Sequence, residues 1–93
     1  MIHHVVAMRF KDPADAAEAR DRLLGLVGRV PEIVALLVHM DSLKRDGSYH
    51  LLLVTDHQDE AGLSGYQSHP AHLAEAGWLK EHLDHRAVVD WQD

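Results

Sequence analysis

Ile2-His3-His4-Val5-Val6-Ala7-Met8-Arg9-Phe10 alternates two sets of side chains, with His4, Val6, Met8 and Phe10 on one side and His3, Val5, Ala7 and Arg9 on the other. A period of two marks a β-strand. Both sides are largely apolar, so a strand of this kind belongs in a sheet covered on two faces. The flanking sequence supplies one cover. Asp12 is placed to cap a helix and Pro13 to open it, and Ala16, Ala19, Leu23, Leu26, Val27 and Val30 then recur at helical spacing until Pro31 forbids continuation. Ile33 to about Asp41 and Ser48 to Asp56 read as two further strands. Between them Lys44-Arg45-Asp46-Gly47 predicts a turn whose Asp-Gly pair tolerates positive φ, and hence an antiparallel hairpin. Asp59 is placed to cap a short helix ending near Gln67. A third helix is expected from Pro70 to about Leu83, and Arg86 to Trp91 reads as the last strand.

The resulting order, β-α-β-β-α-α-β, predicts an α+β protein: a ferredoxin-like split βαββαβ unit with a four-stranded antiparallel sheet and helices on one face. The second face is then bare and apolar. Two such sheets packed face to face would remove it from water, which predicts a homodimer.

A chain of 93 residues, 46% of them hydrophobic, accommodates one domain over 1–93. No basic, long apolar leader precedes Ile2, so no membrane partner is expected and the chain reads as cytoplasmic. Cysteine is absent, which leaves oxygen and imidazole chemistry. The formal charge of -6, with scattered Lys and Arg, argues against a nucleic-acid partner.

The densest chemistry lies in Gly65-Tyr66-Gln67-Ser68-His69-Pro70-Ala71-His72. Proline is favoured at the first helical position, so Pro70 at N1 makes His69 the N-cap and His72 the N3 residue. The positive end of the helix dipole opposes a charge on His72. A neutral imidazole accepts a proton near pH 7, and the Tyr66 phenol, protonated at that pH, suits the role of donor. His69 is expected to hold the bend into the third helix and is grouped with Val6 and Met8 as a ligand-contacting residue. A metal held by His4, His69 and His72 is disfavoured, because a capping side chain turns back toward its own helix.

The opening Ile2-His3-His4-Val5-Val6 with Arg9-Phe10-Lys11-Asp12, the strand Tyr49-His50-Leu51-Leu52-Leu53-Val54, the segment Tyr66-Gln67-Ser68-His69-Pro70-Ala71-His72 and the close Arg86-Ala87-Val88-Val89-Asp90-Trp91 together resemble the stress-responsive α/β-barrel (Dabb) family. The resemblance covers almost the whole chain. It implies a ferredoxin-like subunit that dimerises into an α/β barrel with a hydrophobic interior. The family includes enzymes that work without a cofactor, among them plant polyketide cyclases of the olivetolic acid cyclase type, which close a ring by aldol chemistry, and a hydroxynitrile lyase. By that resemblance the catalytic tyrosine and histidine fall on Tyr66 and His72. The strand-one histidine falls on His4, with Val6 and Met8 as apolar walls. The aromatic residues that close the cyclase pocket have no counterpart in the first helix, which offers Ala19, Leu23 and Leu26. The implied activity is acid–base catalysis on a small carbonyl compound. A non-catalytic dimer binding a small hydrophobic ligand or a partner in stress response is the main alternative, and a cofactor-independent monooxygenase with the same barrel is the third.

Overall fold

The computed structural model describes residues 1–93. The elements are β1 (Ile2–Phe10), α1 (Asp15–Leu24), β2 (Ala35–Met40), β3 (Leu51–His57), α2 (Glu60–Ser68), α3 (Pro70–His82) and β4 (Leu83–Gln92). The four strands form one antiparallel sheet in the order β2-β3-β1-β4. The predicted ferredoxin-like α+β architecture is the one observed.

Register explains how β1 organises the rest. Across the helix-covered face run the rows Leu36, Thr55, His4, Asp90 and Val38, Leu53, Val6, Val88. Beneath the helices Val6, Met8, Phe10, Leu51 and Leu53 are buried against Ala19, Leu23, Leu26 and Tyr66. The opposite face carries Leu37, Val54, Val5, Val89 and, one row along, His39, Leu52, Ala7, Ala87. No element of the chain covers it, and Val89 is 63% exposed and Leu37 55%. His3 sits at one end of this face. Its two ring nitrogens donate to Asp56 and Asp93 at 2.6 and 2.7 Å, its ring stacks on Trp91, and the two carboxylates hold its pKa above 6.5, Asp93 being the larger cause.

Several element ends differ from those expected. The first helix is shorter than the apolar spacing from Pro13 to Val30 predicts. Asp12 does not cap it but forms the preceding turn, accepting from the Ala14 and Asp15 amides, and the N-cap position is Ala14. At the other end the chain leaves the helix at Gly25 and turns through Gly28 at φ 84°. Glycine adopts that left-handed geometry without a side-chain clash. Leu26 and Val30 nevertheless remain buried, whereas Val27 points out and is 58% exposed. Non-helical backbone therefore delivers two of the side chains that helical spacing had grouped together. In the hairpin, Gly47 takes the positive φ expected of Asp-Gly, but Lys44 does so too. The strands consequently stop at Met40 and start again at Leu51, with the Asp41 amide closing the loop on the His50 carbonyl. β4 begins earlier than expected, at Leu83, because α3 ends at His82 with no intervening loop.

Leu26 is fully buried although it lies outside any helix. Replacing it with Ala is expected to lower the unfolding free energy by about 2–5 kcal/mol, as for other buried leucines. A urea melt showing a loss below about 1 kcal/mol would mean that the segment after α1 is not part of the core.

Candidate functional site

Three elements bring the candidate residues together. β1 directs His4, Val6 and Met8 toward the helices because its even positions share one face. Tyr66 lies in the last turn of α2, and His72 in the first turn of α3. The kink between the two helices comes from His69, whose extended backbone ends one helix and caps the next. Its Nδ1 accepts the Ala71 amide at 3.0 Å, as the placement of Pro70 predicts. Gly65 lets α2 approach closely, since a Cβ there would come within 3.1 Å of Glu32 Cγ.

Between α3 and the sheet lies a cavity of about 450 Å³. Its inner wall is His4, Val6, Met8, Leu53, Tyr66 and His72, together with Leu23 from α1. Its mouth is formed by Leu79 and Lys80 of α3 and by Leu83, Asp84, His85 and Arg86 at the start of β4. Five of the six residues singled out from the sequence therefore line one cavity. His69 does not: it serves as the cap, and that placement lends no support to its expected contact with a ligand.

Tyr66 is the centre of the cluster, only 1% exposed. Its ring lies 4.5 Å from that of His72, 4.9 Å from that of His57 and 6.3 Å from that of His4. Burial pushes its phenol up to about 12, so the hydroxyl stays protonated at any ordinary pH. His72 Nδ1 donates to the Gln67 carbonyl at 2.9 Å. A carbonyl only accepts, so Nδ1 carries the proton and Nε2 of the neutral ring keeps its lone pair. The pKa of His72 is lowered, chiefly by burial and further by the charges of His4 and Arg86, against the opposing bond to Gln67. Burial thus favours the neutral His72 that the sequence predicts.

Three partners were not apparent from the sequence. Asp90 accepts from His4 Nδ1 at 2.5 Å, which fixes the ring and leaves Nε2 as its remaining nitrogen. The signal was present in the spacing, because Val88 and Asp90 share a face of β4 and the register sets Asp90 beside His4. The second is His57. It donates from Nδ1 to the Glu32 carbonyl at 2.8 Å and accepts the Thr55 hydroxyl at Nε2, 2.9 Å away. Both of its nitrogens are committed and burial lowers its pKa, so it backs the Tyr66 ring as a neutral wall. The third is the charged mouth, contributed by the end of α3 and the start of β4. No group of three or more His, Asp or Glu side chains has a geometry suited to holding a metal ion, and no helix is long and apolar enough to cross a membrane.

The four-stranded antiparallel sheet with its helices defines a ferredoxin-like α+β subunit. The chain belongs to the stress-responsive A/B barrel domain family, which it matches over residues 2–93. Among solved structures it is similar to a dimeric ferredoxin-like protein of unknown function from Thermobifida fusca, at 26% identity and a TM-score of 0.86, covering 99% of this chain and 90% of that one. It also shares its fold with a hydroxynitrile lyase from Passiflora edulis, at 14% identity and a TM-score of 0.83 over 97% of this chain and 90% of the lyase. An antibiotic biosynthesis monooxygenase is 14% identical with a TM-score of 0.79, covering 100% and 98% of the two chains. No curated protein matches the chain.

Because the folded pKa of His72 lies below the unfolded value of 6.5, the unfolded chain binds more protons between the two. The stability gained by keeping this ring neutral is thus present above pH 6.5 and is lost as pH falls through the folded value. A proton–carbon NMR titration is expected to show the His72 ring titrating below 6.5. A midpoint at or above 6.5 would contradict the described environment.

Proposed function

We propose that the chain is a homodimeric enzyme that needs no cofactor and performs acid–base chemistry on a small carbonyl compound held in the cavity beneath α3. One observation carries this reading: Tyr66 and His72 meet at a ring distance of 4.5 Å on a partly apolar cavity wall, with their proton affinities driven apart in the directions a donor and a base require. The Nε2 lone pair of His72 takes a proton from the carbon beside the carbonyl. The C–H electron pair moves into the carbonyl, and the developing enolate oxygen receives a hydrogen bond from the Tyr66 hydroxyl. The enolate then attacks a second carbonyl, as in an aldol ring closure. A lyase would use the same pair: His72 removes a hydroxyl proton, the carbonyl forms as the carbon–carbon bond breaks, and the departing carbanion leaves with the bonding electron pair and takes the proton back from His72. His4, oriented by Asp90, positions the substrate or relays the proton back. Val6, Met8, Leu23 and Leu53 make the wall dry, which strengthens each polar contact.

The bare sheet face supports the dimer. The row Leu37, Val54, Val5, Val89 is apolar across all four strands and has no cover within the chain, and a solved relative of the same fold is dimeric. A charge in this row would be buried unpaired in the assembly. Val89→Glu is expected to convert the dimer to a monomer in sedimentation analysis. An unchanged mass would place the interface elsewhere.

Exchange of α-protons in deuterated buffer reports enolate formation without knowledge of the natural substrate. Across a panel of small ketones and oxo acids, the protein is expected to accelerate exchange for some members. His72→Ala should lose about 10²–10⁴-fold of that acceleration and Tyr66→Phe about 10²-fold. Ligand binding with no exchange on any compound, and no change in the variants, would favour a binding module instead.

A further inference from the structure

The cavity mouth carries charge that its own chain does not balance. Four fully charged side chains line the cavity: Glu75, Lys80, Asp84 and Arg86. The two acids are already engaged. Glu75 takes Arg22 Nη1 at 3.4 Å, and Asp84 takes Arg9 Nε at 2.9 Å as well as His85 at 3.3 Å. Lys80 and Arg86 enter no ion pair. This runs against composition, because acids outnumber Lys and Arg by fifteen to nine and a cation has carboxylates to choose from.

The position of Arg86 gives the imbalance a direction. It pairs with Met8 across the β1–β4 ladder, on the same face as Val88 and Asp90, so it stands in line with the apolar positions that lead to His4. Its charge also reaches His72, whose pKa it helps to lower. We infer that the carbonyl compound taken by this site is an oxo acid, its carboxylate bound at the mouth by Arg86 and Lys80 and its carbon skeleton lying on Val6 and Met8 toward Tyr66 and His72. This inference rests on the cavity being the active site proposed above, and adds the class of substrate.

A guanidinium matches a carboxylate with two parallel N–H donors, and the Lys80 ammonium adds a mobile second charge. Engagement of Arg86 by a carboxylate also reduces the positive field at His72. The base then gains proton affinity when an anionic substrate is present, and remains weaker in the empty cavity.

The probes are 4-oxo-4-phenylbutanoate and its methyl ester, which share a ketone and a carbon skeleton and differ in charge. Calorimetric titration is expected to show the acid binding about fivefold more tightly than the ester at low salt, with the difference shrinking as salt is added. In Arg86→Gln the two affinities should come within about twofold of each other, and Lys80→Gln should lose part of the preference. The His72 titration midpoint should rise on binding the acid but not the ester, and that rise should disappear in Arg86→Gln. Equal binding of acid and ester, with α-proton exchange still dependent on His72, would overturn the oxo-acid assignment and leave the acid–base reading standing. A preference for the acid without any His72-dependent exchange would overturn the acid–base reading and, with it, the assignment of the oxo acid as a substrate, leaving it a bound ligand only. Failure of both probes to bind would overturn the inference together with the cavity on which it rests.

Discussion

Pairing of β1 on both edges, with β3 on one side and β4 on the other, is the constraint from which the rest of the molecule follows. A strand held between two neighbours cannot slip by one residue without sending His4, Val6 and Met8 to the wrong face. Its even positions build the core and the inner wall of the cavity. Its odd positions build the apolar sheet face that no helix covers. The register with β4 also brings Asp90 to His4 and Arg86 to Met8, so the supports of the site are set by the same ladder that holds the fold.

The proposed site is shaped by differences in solvation more than by close charge pairs. Tyr66 and His72 are perturbed mainly by burial, which favours the neutral form of each: it raises the affinity of the phenol for its proton and lowers that of the imidazole. His57 belongs to the same environment but spends both nitrogens on Glu32 and Thr55, and packs behind the Tyr66 ring rather than lining the cavity. Backbone carbonyls decide which nitrogen of His72 and of His57 carries the proton, at Gln67 and Glu32 respectively. Their position depends on the way α2 packs, and Gly65 is what lets that helix come near Glu32.

Where sequence reasoning erred, the errors share a cause. Helical spacing grouped Leu26 and Val30 with α1, although both reach the core from turns after Leu24. Periodicity records which side chains need burial and is blind to whether a helix or a turn delivers them. Asp12 has the chemistry of a cap yet forms the turn before the helix, because local side-chain bonds satisfy more than one backbone geometry. His69 spends its ring on the Ala71 amide, the capping role that Pro70 at N1 predicts.

Alternation and turn chemistry in the sequence by itself determined the order of elements, the two-faced character of β1, the cap at His69 and the N3 place of His72, because each depends on residues within a few positions of one another. The family, too, was legible in the segments around those residues. Only the tertiary structure decided that Asp90 orients His4, that His57 backs Tyr66, and that Lys80 and Arg86 stand unpaired at the mouth of the cavity. His4 and Asp90 lie 86 positions apart, and each of these relations exists only once strand register and helix packing have set the side chains within or beyond hydrogen-bonding and Coulombic reach of one another.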